Sequence, residues 1–324
     1  MNITFTRVIQ RTVNLDGQVA RVETSPLEGG GVFVHLGILR QSRKFVIVKN
    51  RNAREMEHTL HEIFIWSFLN HEHIHRLLGT MTTFGNPLSS VAEYMTRGNA
   101  YNYVQNRRVD PAPLLLGVAR ALLYLHSHPL GPIFHGDVRG KNVLVTDDGR
   151  ALLTNFSCSC LHDRSSNMVS SSPLPGSLRW MAPEGIEEED LTVDLAAGRD
   201  VWAFAMTIME LVTRQPPFEG INSRNLIIVR ILRGMPRRPR CMRNEWWDLC
   251  TPCWKLEPEQ RPDMMTLVHR IETMLSSRRS RFGDGHRDSD FNEDDDDKGN
   301  DSLIPQPTDE LSSTVQVWCS FHIT

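Results

Sequence analysis

The run Val201–Val212 carries apolar residues on nearly every face of a helix. A helix of that kind cannot lie on a surface and needs a lobe of other helices around it. With 324 residues the chain is long enough to build one. Extended back to Leu195, the run tempts as a membrane span. It is broken by Arg199 and Asp200, and it falls short of the roughly 20 residues a bilayer requires.

Upstream the hydrophobic period is different. Residues 1–24 hold two β-prone runs around Asp16-Gly17, a pair suited to a type I′ hairpin turn. Gly29-Gly30-Gly31 is followed by the strand-like runs Val32–Leu39 and Phe45–Val48. Across residues 52–69, Met56, Leu60, Ile63, Phe64 and Leu69 form a helical stripe. After a strand-like segment at 89–95, Asp110-Pro111 supplies a cap and a first-turn proline for a helix through His126. A last amphipathic helix opens at Pro262 and runs through Leu275. Strands first and helices afterwards predict an α+β chain with a small β-rich lobe joined to a larger helical one.

Composition changes at Ser276. Arg278, Arg279 and Arg281 lead into an acidic stretch, Asp284–Asp301, too polar to offset the entropy of ordering it. The expected divisions are an extension over 1–24, a domain over 25–276 (lobes 25–95 and 96–276), and a disordered acidic tail over 277–324. A net charge of −3 argues against a strongly basic nucleic-acid binder. Six cysteines without a disulfide spacing predict a reducing compartment. Met1–Gln10 lacks the apolar run of a signal peptide. The expectation is an intracellular protein, cytoplasmic rather than nuclear, without a membrane segment. Cys158/Cys160 and Cys250/Cys253 lack zinc-site spacing, and they and the run His71–His75 read as ordinary core, loop or turn residues.

An ordered set of segments carries a chemical pattern. Val46-Ile47-Val48-Lys49 ends an apolar run on a lysine, and Glu62 follows thirteen residues on, inside the helical stripe. His135-Gly136-Asp137-Val138-Arg139-Gly140-Lys141-Asn142, followed by Val143-Leu144-Val145, is the most specific signal. Ala182-Pro183-Glu184, Asp200-Val201-Trp202 and the stretch from Cys253-Trp254 to Arg261-Pro262 complete the series.

In order and spacing these segments resemble the eukaryotic protein kinases, most closely the tyrosine-kinase-like group. The Gly17-Gln18-Val19 lead-in is similar to kinases expanded in mushroom-forming fungi. The resemblance covers about residues 25–275. It implies a bilobal kinase fold, with a five-stranded sheet, one N-lobe helix and a hinge near 93–98. It implies ATP and Mg²⁺ as cofactors and a protein substrate or signalling partner. Asp137 would orient the substrate hydroxyl, and Arg139 stands where Ser/Thr kinases carry a lysine touching the γ-phosphate. Lys49 and Glu62 would hold phosphate, and Gly29, Gly30 and Gly31 would cover it. Val34, Ile47, Leu144 and the hinge residues Glu93 and Met95 would surround the adenine. Asn142 and Asn155 would take the metal positions. Asp200 would anchor the catalytic loop, and Arg261 would pair with Glu184.

Three departures matter. Where the family has D-F-G, this chain has Asn155-Phe156-Ser157, losing a carboxylate that a hard cation prefers and a glycine's latitude. The third glycine of the phosphate loop is replaced by Val32 or Phe33; Ile47 narrows the adenine pocket, and Ala92 at the gatekeeper position returns some of that volume. Gly136 replaces the arginine that would bind an activation-loop phosphate, so the eight serines of 155–184 read as an ordinary polar loop. Two functions follow from the resemblance: phosphoryl transfer from ATP to protein Ser or Thr, or a pseudokinase scaffold that signals by contact.

Overall fold

The computed structural model describes residues 4–283, apart from 23–26, 30–31, 53–54, 85–86, 164–165, 168–175 and 187–192. Gly30, Gly31 and the acidic tail beyond 283 therefore lie outside the described residues.

The N-terminal lobe is built on β3 (Val32–Leu39) and β4 (Phe45–Arg51), whose antiparallel register runs from Val32 opposite Arg51 to Ile38 opposite Phe45. β6 (Ser89–Glu93) pairs with β4, and β5 (Leu77–Met81) forms the far edge. On the other edge β1 (Val19–Arg21) and β2 (Leu27–Gly29) share one position, both pairing with β3. The six strands thus fill the five positions expected.

Residues 13–19 link the two edges. The Leu15 N–H donates to the Thr80 carbonyl at 2.9 Å, and the Thr80 N–H donates to Val13 at 2.8 Å. A few residues later the chain has reached β1. This link curls the sheet around Leu15, Val19, Val46, Val48, Met81 and Val91. The Asp16-Gly17 turn is present, with Gly17 at φ +74°, but it does not join a hairpin. The run before it folds as α1 (Phe5–Ile9), capped by the Thr4 hydroxyl. Its β-branched composition is overridden because Val8 finds an apolar partner in α2 (Met56–Trp66), beside Leu60, Ile63 and Phe64.

The C-terminal lobe begins after the hinge with α3 (Ala100–Tyr103) and α4 (Ala112–His126). Short strands β7 (Ile133–Phe134), β8 (Val143–Val145), β9 (Ala151–Leu153), β10 (Cys160–Asp163) and β11 (Ser166–Asn167) carry the loops of the cleft. Then come α5 (Pro183–Ile186), α6 (Val193–Thr213), α7 (Arg224–Leu232), α8 (Asn244–Cys250) and α9 (Met264–Gly283). The all-round apolar run sits in α6, where Val201, Trp202, Phe204, Met206, Ile208 and Leu211 are buried. α9 continues past the compositional break at Ser276 to Gly283. Among the described residues no helix is long and apolar enough to cross a membrane. The fold is the bilobal α+β arrangement expected.

Candidate active site

The cleft between the lobes gathers residues from both. β4 presents Lys49, whose ammonium lies 2.8 Å from Glu62 Oε1 and 3.2 Å from Asn155 Oδ1. Burial pulls the lysine below its ordinary pKa, and the Glu62 charge opposes that pull. Glu62 is buried in α2, which by itself would push its carboxyl up. Lys49 and Arg51 outweigh burial and hold it below the usual carboxylate value. Arg51, with Nη2 at 3.7 Å from Glu62 Oε2, is a second cation on the same carboxylate. The sequence reading missed it, although the two-residue period of a strand puts Arg51 and Lys49 on one face.

The loop after β7 carries Asp137. Its backbone is fixed from α6: Asp200 accepts the N–H groups of His135 and Gly136 at 2.8 and 2.9 Å. Gly136 has φ +76°, and a Cβ there would stand 2.5 Å from the Cys158 carbonyl oxygen. The position that drops the family arginine is thus a left-handed turn pressed against backbone, where glycine is the residue that fits. Asn142 donates its amide to Asp137 Oδ2 at 2.6 Å, and Ser177 donates its hydroxyl to Asp137 Oδ1 at 2.6 Å. Arg139 Nε lies 3.4 Å from the same Oδ1. Ser177 had no assigned role in the sequence, and its place seven residues before Glu184 is the only signal there.

Asn155 has φ +69°, a left-handed conformation that asparagine tolerates better than most residues. Its amide is engaged through both its oxygen and its nitrogen. Oδ1 accepts from Lys49 and from Ser157 Oγ at 3.1 Å, and Nδ2 donates to Asn142 Oδ1 at 3.3 Å. Phe156 is completely buried beneath α2, 6.0 Å from Trp66 and 5.3 Å from His135 between ring centroids. This packing holds α2 inward, with Glu62 on Lys49.

Around the hinge, Val34, Ile47 and Tyr94 share one apolar cluster, and Ile47 stands opposite Ala92 across the ladder. Leu144 is buried on β8. Glu93 sends its carboxylate outward to Lys44 at 2.7 Å, while its carbonyl accepts from His75 Nε2 at 2.9 Å. Burial lowers the His75 pKa to about 4, so the ring stays neutral. The Met95 carbonyl accepts the Gly98 N–H at 3.0 Å. Gly29 ends β2 opposite Val32.

The residues present fit a nucleotide phosphate at Lys49. For a divalent ion they fit less well, because positions 142 and 155 offer neutral amide oxygens, the Glu62 carboxylate is taken up by Lys49, and Asp137 is the carboxylate bonded to Asn142. Behind the cleft, Glu184 and Arg261 form a bidentate pair at 2.7 and 2.9 Å. A separate cavity of about 520 Å³, among Glu72, Arg120, Arg150 and Leu275, includes none of the residues of the cleft.

The profile of the family described as protein tyrosine and serine/threonine kinase matches residues 28–271. The chain is 26% identical, over 72% of its length, to MAP3K epsilon protein kinase 1 of Brassica napus, of which it covers 18%. It is 27% identical over 72% to the serine/threonine-protein kinase CTR1 of Arabidopsis thaliana, covering 28% of it. It is also 27% identical over 74% to the probable serine/threonine-protein kinase drkC of Dictyostelium discoideum, covering 32%. The chain therefore spans less than a third of each of these relatives.

Proposed function

Because the chain belongs to the eukaryotic protein kinase family, in its tyrosine-kinase-like group, we propose that it transfers the γ-phosphoryl group of ATP to a protein serine or threonine. The observation that carries this reading is the Lys49–Glu62 pair at 2.8 Å, with the same ammonium 3.2 Å from Asn155. An inward α2 and a seated Phe156 are what a phosphate-holding lysine needs to stay in the cleft.

Bound Mg-ATP would supply the transferable phosphoryl group and neutralise charge on it. Lys49, oriented by Glu62, would hold its phosphates. Asn142 and Asn155 would offer carbonyl oxygens to the ion once their mutual amide bond opens. Asp137 would accept the proton of the attacking hydroxyl. Ser177, donating to Asp137 at 2.6 Å, is already a seryl hydroxyl in that relation to the carboxylate. The preference for Ser or Thr acceptors is supported by Arg139 in the place of the family lysine and by the similar Ser/Thr kinases CTR1 and drkC.

The engaged amide of Asn155 favours a second reading, a scaffold that signals by contact. Radiolabel transfer from ATP by wild type, Asn155→Asp and the double variant with Asp137→Asn separates the two. The single substitution adds an anionic oxygen pair at nearly constant volume, and Asp tolerates the same left-handed backbone. Transfer should rise on the order of 10²-fold and vanish when Asp137→Asn is added. No magnesium-dependent transfer from wild type or from Asn155→Asp would overturn the proposal in favour of the scaffold.

A further inference from the structure

Between Ile221 and Arg243 the chain carries seven arginines and no acidic residue. They lie on α7 and on the loop from α7 to α8, and Arg224, Arg233, Arg237, Arg240 and Arg243 are exposed. Set among them are uncovered apolar side chains: Leu226 at 58% exposure, Val229 at 43%, Leu232 at 39% and Met235 at 50%. Among the described residues this face makes one ion pair, Arg243 with Glu245 at 3.8 Å. Like charges at this density repel one another, and grouped apolar side chains between them lose free energy to water. The chemistry that relieves both is an acidic segment with apolar residues in it. None of these residues takes part in the cleft.

The chain itself holds such a segment. Asp284–Asp301 has nine acidic residues against two basic ones, with Phe291 inside it and Leu303-Ile304 directly after. α9 is described as far as Gly283, and on its last described turns Arg278 bonds Glu245, two residues beyond Arg243, with its guanidinium 5.6 Å over the Trp246 ring. The acidic segment therefore follows directly on a helix that lies against the arginine-rich loop. Its eighteen residues to Asp301 reach on the order of 60 Å when extended, enough to cross the whole face.

We propose that residues 284–304 dock in cis on the arginine-rich face formed by α7 and the loop to α8. The docking does not depend on phosphoryl transfer. Tethering makes it intramolecular, so an individually weak contact can be populated. Charge pairs on an open face are screened by salt, so added salt releases it.

Cys241 is exposed in this loop, and the other described cysteines are buried. The test uses the full chain carrying Cys319→Ser and follows modification of Cys241 by an uncharged maleimide. Neutralising the acidic run (Glu293→Gln with Asp294→Asn, Asp295→Asn, Asp296→Asn and Asp297→Asn) should speed modification roughly five- to ten-fold. About 0.5 M salt should bring the parent chain to the same rate. Hydrogen exchange gives a second readout: protection over 224–243 should fall in the neutralised chain. Protection over 288–301 should fall in a chain with Arg233→Glu and Arg237→Glu. Equal maleimide rates, or a rate change with no change in exchange, would overturn the docking. Protection that grows with protein concentration would place the segment on a second copy and overturn the cis arrangement.

Discussion

Glu210 is a carboxyl inside the apolar run of α6, buried and accepting the Gly140 N–H at 2.8 Å and the Trp180 indole N–H at 3.1 Å. Burial pushes its pKa up to about 7, against those two hydrogen bonds and the charges of Arg139 and Lys141. In the unfolded chain the same group titrates near 4.5. Between these values the folded protein binds more protons than the unfolded one, so this group's contribution falls as pH rises from about 4.5 to about 7. Each unit of difference is worth about 1.4 kcal/mol, so the total is on the order of 3 kcal/mol. Glu210→Gln keeps an acceptor oxygen and removes the titration. The difference in unfolding free energy between wild type and Glu210→Gln should therefore shift against wild type across that window. Parallel pH profiles for the two proteins would show that the carboxyl does not titrate there.

At the level of elements, α1 belongs to α2 as much as to its own sequence. Val8 is fully buried among Leu60, Ile63 and Phe64, and Arg7 and Arg11 lie 5.4 and 3.8 Å from the centroids of Phe64 and Phe68. The Thr12 and Thr80 hydroxyls, 2.8 Å apart, tie the end of α1 to β5. Val8→Ala should cost about 2 kcal/mol and raise hydrogen exchange in α2, which carries Glu62. Unchanged exchange over residues 56–66 would mean that α1 merely rides on the lobe. This contact also shows where sequence reading stops. The β-branched run of residues 3–13 has strand propensity, and only a partner far along the chain decides for helix. The catalytic loop was legible because Asp137 and Asn142 lie in one short segment. Lys49 and Glu62 were legible through the kinase resemblance, which pairs a strand lysine with a glutamate in the following helix. Gly136 was visible as a substitution, but its left-handed backbone against Cys158 depends on an approach no local pattern encodes. Glu210 left a trace, an acid within an apolar run, that went unread.

For the whole molecule, α6 is the axis onto which the parts of the larger lobe are fastened. Asp200 fixes the catalytic loop, and the Thr207 hydroxyl donates to the Val138 carbonyl at 3.1 Å. Arg199 reaches the Glu184 carbonyl at 2.7 Å, and Trp202 lies beneath the Arg261 guanidinium at 5.1 Å. Arg261 closes the far side. Its side chain is wholly buried, it pairs with both oxygens of Glu184, and it donates to the Lys255 and Leu256 carbonyls at 2.9 and 3.2 Å. Removing it strands a buried carboxylate and two carbonyls, so Arg261→Ala should cost about 3–5 kcal/mol. Glu184→Ala leaves an unpaired buried guanidinium and should cost a similar amount. The double variant strands neither charge and should therefore be less destabilised than the two single losses combined, by on the order of 1–3 kcal/mol. Because the pair lies outside the cleft, the fraction that stays folded should, under the proposed function, keep the nucleotide affinity of wild type. Denaturant unfolding of the four proteins, with nucleotide titration below the transition, measures both. Additive losses would break the link between Glu184 and Arg261. A fall in nucleotide affinity in folded Arg261→Ala would show instead that Arg261 is coupled to the catalytic loop through α6.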